Sequence, residues 1–384
     1  MSIPGNADIV IIGGGVMGAS IAYHLAARGL KNILLLEKDE FFGQGATGRC
    51  AGGVRYQFAT EVNIRLSLAS LPLLERFETE IGQAIGYSKC GYLFLLTKEE
   101  DIIAFQRNVS LQHSLNVKTE WLSGDDIRRR LPMMRLDDVI AGTYNPDDGV
   151  VDPNSVVMGY ISAARRLGVD ALNGIEVTGI QVQSSRIKGV ITTAGNIAAP
   201  LVVDAAGPWA GLIAEMAGVE IPLTPIRRQW FTTTPITEIP EGYPFVIDFA
   251  QSLYFHREGR GLLIGMSNPD EPAGFDQNID PDWETTNIEA AIARLPLLEK
   301  AQLASHVAGL YEVTPDAHPI YGSTPVEGFF ICTGFSGHGF MHGPISGVLM
   351  SEIILEGSAK TVDISMLDLA RFQEGRLIRE YNVV

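Results

Sequence analysis

The fold of this chain is decided by residues 9–18, which read Ile-Val-Ile-Ile-Gly-Gly-Gly-Val-Met-Gly. An apolar run that ends in glycine is typical of a buried parallel strand. The segment from Gly15 to Arg28 predicts a helix, and Gly29 is a suitable stop. A second apolar run from Asn32 to Leu36 predicts the next strand. The order strand, helix, strand indicates a right-handed crossover in a parallel sheet.

Three glycines in this stretch have the spacing of a dinucleotide-binding turn. Gly13 permits a tight turn, Gly15 lets the backbone approach a pyrophosphate at the helix N-terminus, and Gly18 allows close strand–helix packing. Glu37 ends the second predicted strand, where a carboxylate can accept the hydroxyl hydrogens of a ribose. The pattern predicts a bound dinucleotide, but it does not distinguish NAD from FAD.

The composition excludes several classes of partner. The chain has 384 residues, and 45 acidic against 29 basic side chains give a formal net charge of −16. A surface with this negative charge repels phosphate backbones and anionic lipid. No nucleic-acid or membrane partner is therefore expected. Residues 9–27 and 328–351 lack Asp, Glu, Lys and Arg, but their glycines and missing anchors argue against a membrane span.

Cysteine usage and the first residues indicate a compartment. Cys50, Cys90 and Cys332 are odd in number and far apart, so they suggest no disulfide framework. Residues 1–8 carry no basic secretion signal, so a cytoplasmic location is expected.

Glycine is the unusual residue type. There are 41, and 15 of them lie in residues 9–27, 43–55 and 328–351. Glycine concentrated in this way indicates backbone in unusual torsions or backbone that approaches a ligand closely. These three segments are therefore candidate ligand-binding regions.

The middle of the chain predicts a second kind of layer. Short alternating runs there are typical of antiparallel strands, and the last region returns to a buried strand and a helix. The predicted elements are Val177 to Ile180, Arg186 to Thr193, Asn196 to Val203, Pro222 to Thr234, Leu253 to His256, Gly261 to Met266, Phe329 to Thr333 and the helix Pro344 to Leu355.

Four glycine-rich or proline-rich segments resemble motifs of the FAD-dependent D-amino-acid oxidase superfamily. They are residues 43–55, 203–210, 314–322 and 334–341, in the family's order. The closest branch resembles the sarcosine oxidase and glycine oxidase group. Residues 90–96 and 337–341 look most like the β-type subunits of heteromeric sarcosine oxidases and dye-linked L-proline dehydrogenases.

The resemblance implies that FAD is bound, and bound non-covalently, because Gly309 stands about where some relatives have an attaching cysteine. Residues 337–340 would present backbone N–H groups to the pyrimidine end of the flavin, where reduction leaves negative charge. The implied cofactor contacts are Gly13, Gly15, Val16, Met17, Gly18, Glu37, Lys38, Gly45, Ala46, Thr47, Arg49, Cys50, Val177, Ala206, Gly207, Gly337, His338, Gly339, Phe340 and Met341.

Four residues are predicted to line the substrate pocket. Arg55 is the first choice for a substrate carboxylate, because a guanidinium binds carboxylate through two hydrogen bonds, although a structural ion pair is the alternative. Tyr254 and His256 share one face of a strand, either as pocket lining or as an ordinary sheet face. Met341 occupies the position of a lysine in single-chain relatives. No general base is assigned.

The resemblance implies oxidation of the C–N bond of a secondary or primary amino acid, such as sarcosine or proline, by hydride transfer to flavin N5. Leu263 stands where oxidases have an oxygen-activating lysine, which favours a dehydrogenase. A flavin-carrying electron-relay subunit of a heteromer and an NAD-linked dehydrogenase are the alternatives. Partner subunits or a homo-oligomer are possible. His338 and His342 do not predict a metal site.

The predicted fold class is α/β, with an α+β substrate layer. A Rossmann-like FAD-binding domain with a parallel sheet is expected at residues 1–85, 145–220 and 320–384. A second domain built on an antiparallel sheet is expected at residues 86–144 and 221–319, and it would bind the substrate.

Overall fold

The computed structural model describes residues 3–383. The strands are β1 Ile9–Ile12, β2 Ile33–Leu36, β3 Gly53–Val54, β4 Tyr92–Leu96, β5 Glu120–Ser123, β6 Ala141–Asn145, β7 Gly149–Val150, β8 Asp170–Leu172, β9 Val177–Gln183, β10 Arg186–Thr192, β11 Gly195–Ala198, β12 Leu201–Asp204, β13 Thr224–Thr233, β14 Phe245–Asp248, β15 Leu253–Glu258, β16 Gly261–Met266, β17 Leu303–Val313, β18 Ile320–Ser323 and β19 Phe329–Thr333. The helices are α1 Val16–Ala27, α2 Glu61–Glu75, α3 Phe77–Ile81, α4 Glu99–Ser114, α5 Gly124–Arg130, α6 Pro153–Arg166, α7 Ala210–Met216, α8 Pro281–Arg294, α9 Gly339–Glu356 and α10 Arg371–Glu374.

A mostly parallel sheet combines strands from the N-terminal and C-terminal regions of the chain, in the order β18-β19-β12-β1-β2-β8. The strands from β19 to β8 are parallel, and β18 joins the edge antiparallel to β19. The predicted strand–helix–strand unit is confirmed as β1, α1 and β2. All four residues of β1 and of β2 are buried, as a sheet covered on both faces requires.

Helices cover one face of this sheet. α1 packs on α9, and the contact is close because two glycines of α9 face α1. A Cβ on Gly343 would lie 2.4 Å from Val16, and one on Gly347 would lie 2.2 Å from Ser20. The other face packs against α7 and the small sheet of β9, β10 and β11.

A large antiparallel sheet is formed from the middle of the chain, in the order β17-β13-β16-β15-β14-β4-β6-β5. Its β14–β4 pair is parallel and its other pairs are antiparallel. Helix α8 packs on one face, where Ala291 and Leu295 join the core. The fold class is thus confirmed, whereas the division into domains at particular residues stays a prediction.

Two predicted elements have different bounds. The expected strand Asn196 to Val203 is two strands in two sheets. Pro200 lies between β11 and β12 and lacks the N–H that a continuous strand would need there. The helix expected from Pro344 to Leu355 is α9, which begins at Gly339 and has Pro344 inside it. The Ser70 hydroxyl satisfies two backbone groups of the helical turn around Pro344. It donates to the Met341 carbonyl at 2.6 Å and accepts from the Ile345 N–H at 3.4 Å.

Across residues 3–383, no helix combines the length and the apolar character that a membrane crossing needs.

Candidate functional site

The first cavity lies at the carboxyl ends of β1, β2 and β12, where open parallel sheets bind ligands. It holds about 1280 Å³ of empty space, part of which is open to solvent. Its floor is formed by the turns that follow these strands, at Gly13, Glu37 and Ala205 to Gly207. The dinucleotide fingerprint and the strand of residues 201–204 therefore meet at one site.

The glycines of the fingerprint let backbone segments approach one another. Gly13 has φ +108°, and a Cβ there would lie 2.4 Å from the Ala205 carbonyl oxygen. A Cβ on Gly18 would lie 1.9 Å from the Gly13 oxygen, so Gly18 supports the turn from below and does not line the cavity. Gly15 is the N-cap of α1, and the Val16 N–H donates to the Thr47 hydroxyl at 3.1 Å.

Glu37 is held at the end of β2 by backbone donors. Its carboxylate accepts from the Gly14 N–H at 2.7 Å and from the Asp39 N–H at 2.9 Å. Burial raises the pKa of Glu37, although these bonds oppose the shift. Lys38 lies over the ring of Trp209, with Nζ 3.6 Å from the ring centroid. A carboxylate and an indole face thus stand at the same end of the cavity.

Two further carboxyl groups are buried on the β12 side. Burial raises the pKa of Glu312, which lines the cavity, to about 7. Burial and the charge of Glu312 raise the pKa of Asp204 well above its usual range. Near neutral pH these groups can therefore be protonated, which limits the negative charge close to the cavity.

The N-terminus of α9 forms the opposite wall. Gly337, with φ +96°, and Gly339 and Phe340 line the first cavity. Long helices carry unpaired N–H groups and a partial positive charge at this end, which suits an electron-rich ligand. The expectation that His338 offers its backbone N–H is wrong, because that group donates to the Phe335 carbonyl at 3.0 Å.

The second cavity adjoins the first and holds about 850 Å³ of empty space, part of which is open to solvent. Both cavities are lined by Ala46, Cys50, Leu310, Tyr311, Gly337 and Phe340. Burial raises the pKa of the Cys50 thiol to about 12, so this group stays neutral. The shared wall places any ligand of the first cavity next to a ligand of the second.

Arg55 lines the second cavity and is buried. Its guanidinium donates to the carbonyl oxygens of Gln57 and Asn382, and it lies 4.1 Å from the ring centroid of Phe58. Burial lowers the pKa of Arg55, and no carboxylate of residues 3–383 forms an ion pair with it. The structural ion pair considered as the alternative is thus not found within those residues.

Aromatic side chains fill much of the second cavity wall, and three tyrosines pack directly on glycines. A Cβ would lie 1.6 Å from the Tyr92 hydroxyl at Gly53, 2.2 Å from Tyr254 at Gly265, and 2.3 Å from Tyr311 at Gly337. Burial raises the pKa of Tyr92 and Tyr254 well above the usual range, so both hydroxyls stay neutral. Glycine therefore also makes room for the rings that line this cavity.

The structure brings most of the predicted site residues together. The first cavity is lined by Gly13, Gly15, Val16, Met17, Glu37, Lys38, Gly45, Ala46, Thr47, Cys50, Val177, Ala206, Gly207, Gly337, Gly339 and Phe340. The second is lined by Arg49, Cys50, Arg55, Tyr254, His338 and Met341, among others. Arg49, His338 and Met341, expected as cofactor contacts, thus lie in the second cavity and not in the first.

Tyr254 and His256 were expected to line the pocket together, but only Tyr254 lines the second cavity. Both lie on one face of β15, but His256 does not line the second cavity. It stacks on Phe245, with ring centroids 4.8 Å apart, and its Nδ1 lies 3.0 Å from the Arg257 carbonyl oxygen. Burial lowers the pKa of His256 to about 4, so it is a neutral packing residue.

Sequence reasoning missed Arg228 and Trp230, which line the second cavity from β13. Their alternation with Arg227 and Gln229 is visible in the sequence, but alternation alone does not tell which face is the cavity face. Trp209, which the sequence did not single out, lines the first cavity.

His338 and His342 lie next to each other, between the second cavity and Phe58. Their rings contact each other edge to face at a centroid distance of 5.4 Å, and burial lowers the pKa of both. Residues 3–383 contain no group of three or more His, Cys, Asp or Glu side chains suited to a metal ion.

Residues 8–353 match the family model described as FAD dependent oxidoreductase. Mitochondrial dimethylglycine dehydrogenase of Rattus norvegicus is 32% identical, over 96% of this chain and 45% of that protein. Mitochondrial sarcosine dehydrogenase of Homo sapiens is 32% identical, over 98% of this chain and 43% of that protein. The chain therefore spans less than half the length of these two relatives.

Solved structures match nearly the whole chain. The crystal structure of L-proline dehydrogenase from P. horikoshii has a TM-score of 0.91 and 33% identity, over 98% of this chain and 100% of that chain. Glycine oxidase from Geobacillus kaustophilus has a TM-score of 0.86 and 25% identity, over 96% of this chain and 99% of that chain.

Proposed function

The chain belongs to the FAD-dependent oxidoreductase family, and from that premise we propose that it oxidises the C–N bond of a secondary or primary amino acid, acting as a dehydrogenase. Sarcosine, dimethylglycine and proline are the proposed substrates, because the relatives named for them are 32 to 33% identical. The observation that carries the proposal is the wall shared by the two cavities, one suited to a dinucleotide and the other lined by arginine and aromatic side chains.

The residues of the first cavity fit FAD. Gly13 and Gly15 let the backbone approach a diphosphate at the N-terminus of α1, and Glu37 can accept from ribose hydroxyls. The N-terminus of α9, at Gly339 and Phe340, suits the electron-rich end of the flavin. When bound, FAD accepts the hydride from the carbon beside the substrate nitrogen.

Side chains of the second cavity bind and orient the substrate in this proposal. Arg55 supplies a positive charge for the carboxylate, since no carboxylate of residues 3–383 neutralises it by an ion pair. Tyr254 has a neutral hydroxyl that can accept a hydrogen bond from the amine without taking its proton. Met341 and the aromatic wall exclude water from the reacting carbon.

The apolar residue Leu263 supports a dehydrogenase rather than an oxidase. It is buried in β16, at the position where a lysine would be expected in an oxygen-activating relative. Without that cation near the flavin, transfer of electrons to another acceptor is favoured over reaction with oxygen.

Partner subunits or a homo-oligomer, and a cytoplasmic location, belong to the same proposal. Exposed apolar side chains such as Phe41, Ile103 and Phe275 are candidate contacts of such an assembly. The cysteines Cys50, Cys90 and Cys332 are free, which supports a reducing compartment. Light scattering of the purified protein and cell fractionation test these two points.

Anaerobic mixing of the flavin-loaded protein with sarcosine, dimethylglycine, L-proline and glycine tests the activity. At least one of them should bleach the visible flavin band, and an artificial acceptor should restore it faster than oxygen does. If FAD is bound and none of the four bleaches it, the proposed substrate class is wrong. Rapid reoxidation by oxygen alone would contradict the dehydrogenase assignment.

A further inference from the structure

β13 places its two arginines in opposite environments. Arg228 and Trp230 line the second cavity, whereas Arg227 and Gln229 alternate with them. Arg227 is held by a full set of partners, because it forms ion pairs with Glu271 at 2.9 Å, with Asp276 at 3.1 Å and with Asp280 at 3.5 Å. The chain thus neutralises the arginine that faces away from the cavity.

Arg228 is not neutralised in this way. Among residues 3–383 no carboxylate lies within ion-pair distance of it, and its Nη1 donates to the Arg227 carbonyl oxygen at 3.0 Å. Within the same residues its Nε–H is shielded from solvent and has no acceptor. A buried donor without an acceptor is unfavourable, and a charged one more so. Arg228 uses Nη1 for the bond to the Arg227 carbonyl oxygen. The other edge of its guanidinium, formed by Nε and Nη2, is not used in that bond.

The surroundings of Arg228 favour an anion over a further side-chain partner. The Tyr311 ring lies 5.3 Å from the guanidinium carbon, and Trp230, whose indole N–H donates to the Arg49 carbonyl oxygen at 2.7 Å, offers only its apolar surface. Arg49 and Arg55, the other arginines of this cavity, each already donate to two backbone carbonyls. The remaining two-donor edge on this cavity wall therefore belongs to Arg228.

We propose that Arg228 binds the carboxylate of the substrate through its Nε–H and Nη2–H donors, while Arg55 contributes charge rather than a two-point contact. This inference rests on the proposed function, since it names the residue that selects amino acids among amines. It predicts that an amine without a carboxylate is bound far more weakly by the same cavity.

Calorimetric titration of the flavin-loaded protein with pyrrole-2-carboxylate tests the assignment without turnover, because this probe has no oxidisable carbon beside nitrogen. Pyrrole is the matched probe without the carboxylate. Arg228→Gln should raise the Kd of pyrrole-2-carboxylate about 100-fold, the scale expected for removing one partner of a buried charged contact. Arg228→Lys should give an intermediate Kd, since it keeps the charge and loses the two-point geometry.

Arg227→Gln is the control, because it changes the adjacent residue on the opposite face. Its Kd for pyrrole-2-carboxylate should stay within about threefold of the wild-type value, because Arg227 does not line the cavity. Its stability should fall, since Glu271 is left buried and unpaired. With an active amino acid, Arg228→Gln should raise KM far more than it lowers kcat. Arg228→Lys supplies the same comparison if Arg228→Gln does not retain flavin.

The proposal is overturned if the flavin-loaded wild-type protein does not bind pyrrole-2-carboxylate. The proposal is also overturned if the Arg228 variants bind pyrrole-2-carboxylate with the wild-type Kd. It is overturned as well if Arg55→Gln abolishes binding of the probe while the Arg228 variants retain it. Arg228-dependent binding without flavin bleaching by any amino acid would support this inference and contradict the proposed function.

Discussion

The first and second cavities share a wall but are built from different chemistry. The first is shaped by backbone, with glycine turns after β1 and β12 and the N-termini of α1 and α9. The second is shaped by side chains. They are three arginines, Arg49, Arg55 and Arg228, and several aromatic rings that project from β4, β13, β14, β15 and β17. A site made from backbone is sensitive to any added Cβ, whereas a site made from side chains can change its ligand one residue at a time. The following experiments test that contrast.

The largest expected effect lies outside both cavities and should disable them together. Arg371 and Asp316 form an ion pair at 2.9 Å that is almost completely buried, under the loop between β17 and β18. Arg371→Leu should lower the free energy of unfolding by about 3 to 5 kcal/mol, because it leaves a buried unpaired carboxylate. Urea unfolding measures this. Arg376→Leu, in the same segment but exposed, should change little, and an equal loss there would refute the burial argument.

A methyl group added at Gly18 should distort the first cavity and leave the second cavity unchanged. Gly18→Ala places a Cβ 1.9 Å from the Gly13 carbonyl, so the phosphate-binding turn must shift. We expect a loss of about 1 to 3 kcal/mol in stability and a clear fall in flavin content. The ratio of flavin to protein absorbance reports the second effect. Normal flavin content in this variant would contradict the backbone-built description of the cavity.

A pH effect should follow from the carboxyl group in the first cavity. The pKa of Glu312 is raised to about 7, so this group is neutral below pH 7 and charged above it. Because the diphosphate of FAD is anionic, the Kd of FAD should rise about fivefold from pH 6 to pH 8, a change of about 1 kcal/mol. Glu312→Gln should remove this dependence, and Glu176→Gln, at an exposed position of the same cavity, should retain it.

The free energy of unfolding should also depend on the protonation of Glu312. The folded chain keeps a proton on Glu312 that the unfolded chain releases above about pH 4.5. This group's contribution to stability is therefore full below that pH and falls as the pH rises towards 7. Thermal unfolding of the wild type and of Glu312→Gln across this range measures the difference.

The smallest effect should come from a glycine that lines neither cavity. Gly211 lies in α7, and a Cβ there would meet no atom within 4 Å. Gly211→Ala should raise stability by about 0.5 to 1 kcal/mol, since alanine is favoured within helices. Unchanged flavin content in this variant would show that an added methyl group lowers flavin content only where it disturbs a cavity, as at Gly18.

The contrast between the cavities also explains how much the sequence could predict. The turn at Gly13 to Gly18 is local, so its spacing indicates its structure, and the first cavity was largely predictable. The second cavity is formed by residues distant in sequence, such as Tyr92, Arg228 and Tyr311. No local pattern identifies them, and which face of β13 meets the cavity is settled only by packing. His256 shows the same limit, since its alternation was correct and its packing against Phe245 was not predictable.

The glycines under the second cavity have a consequence for how this protein could change its substrate. The rings of Tyr92, Tyr254 and Tyr311 rest on the bare backbone of Gly53, Gly265 and Gly337. A methyl group added beneath any of these rings would push it into the cavity and reduce the space for a ligand. Substrate size is therefore adjustable through the glycines on which these rings rest, of which Gly53 and Gly337 line the second cavity and Gly265 does not. A search for altered specificity should vary each glycine together with its tyrosine.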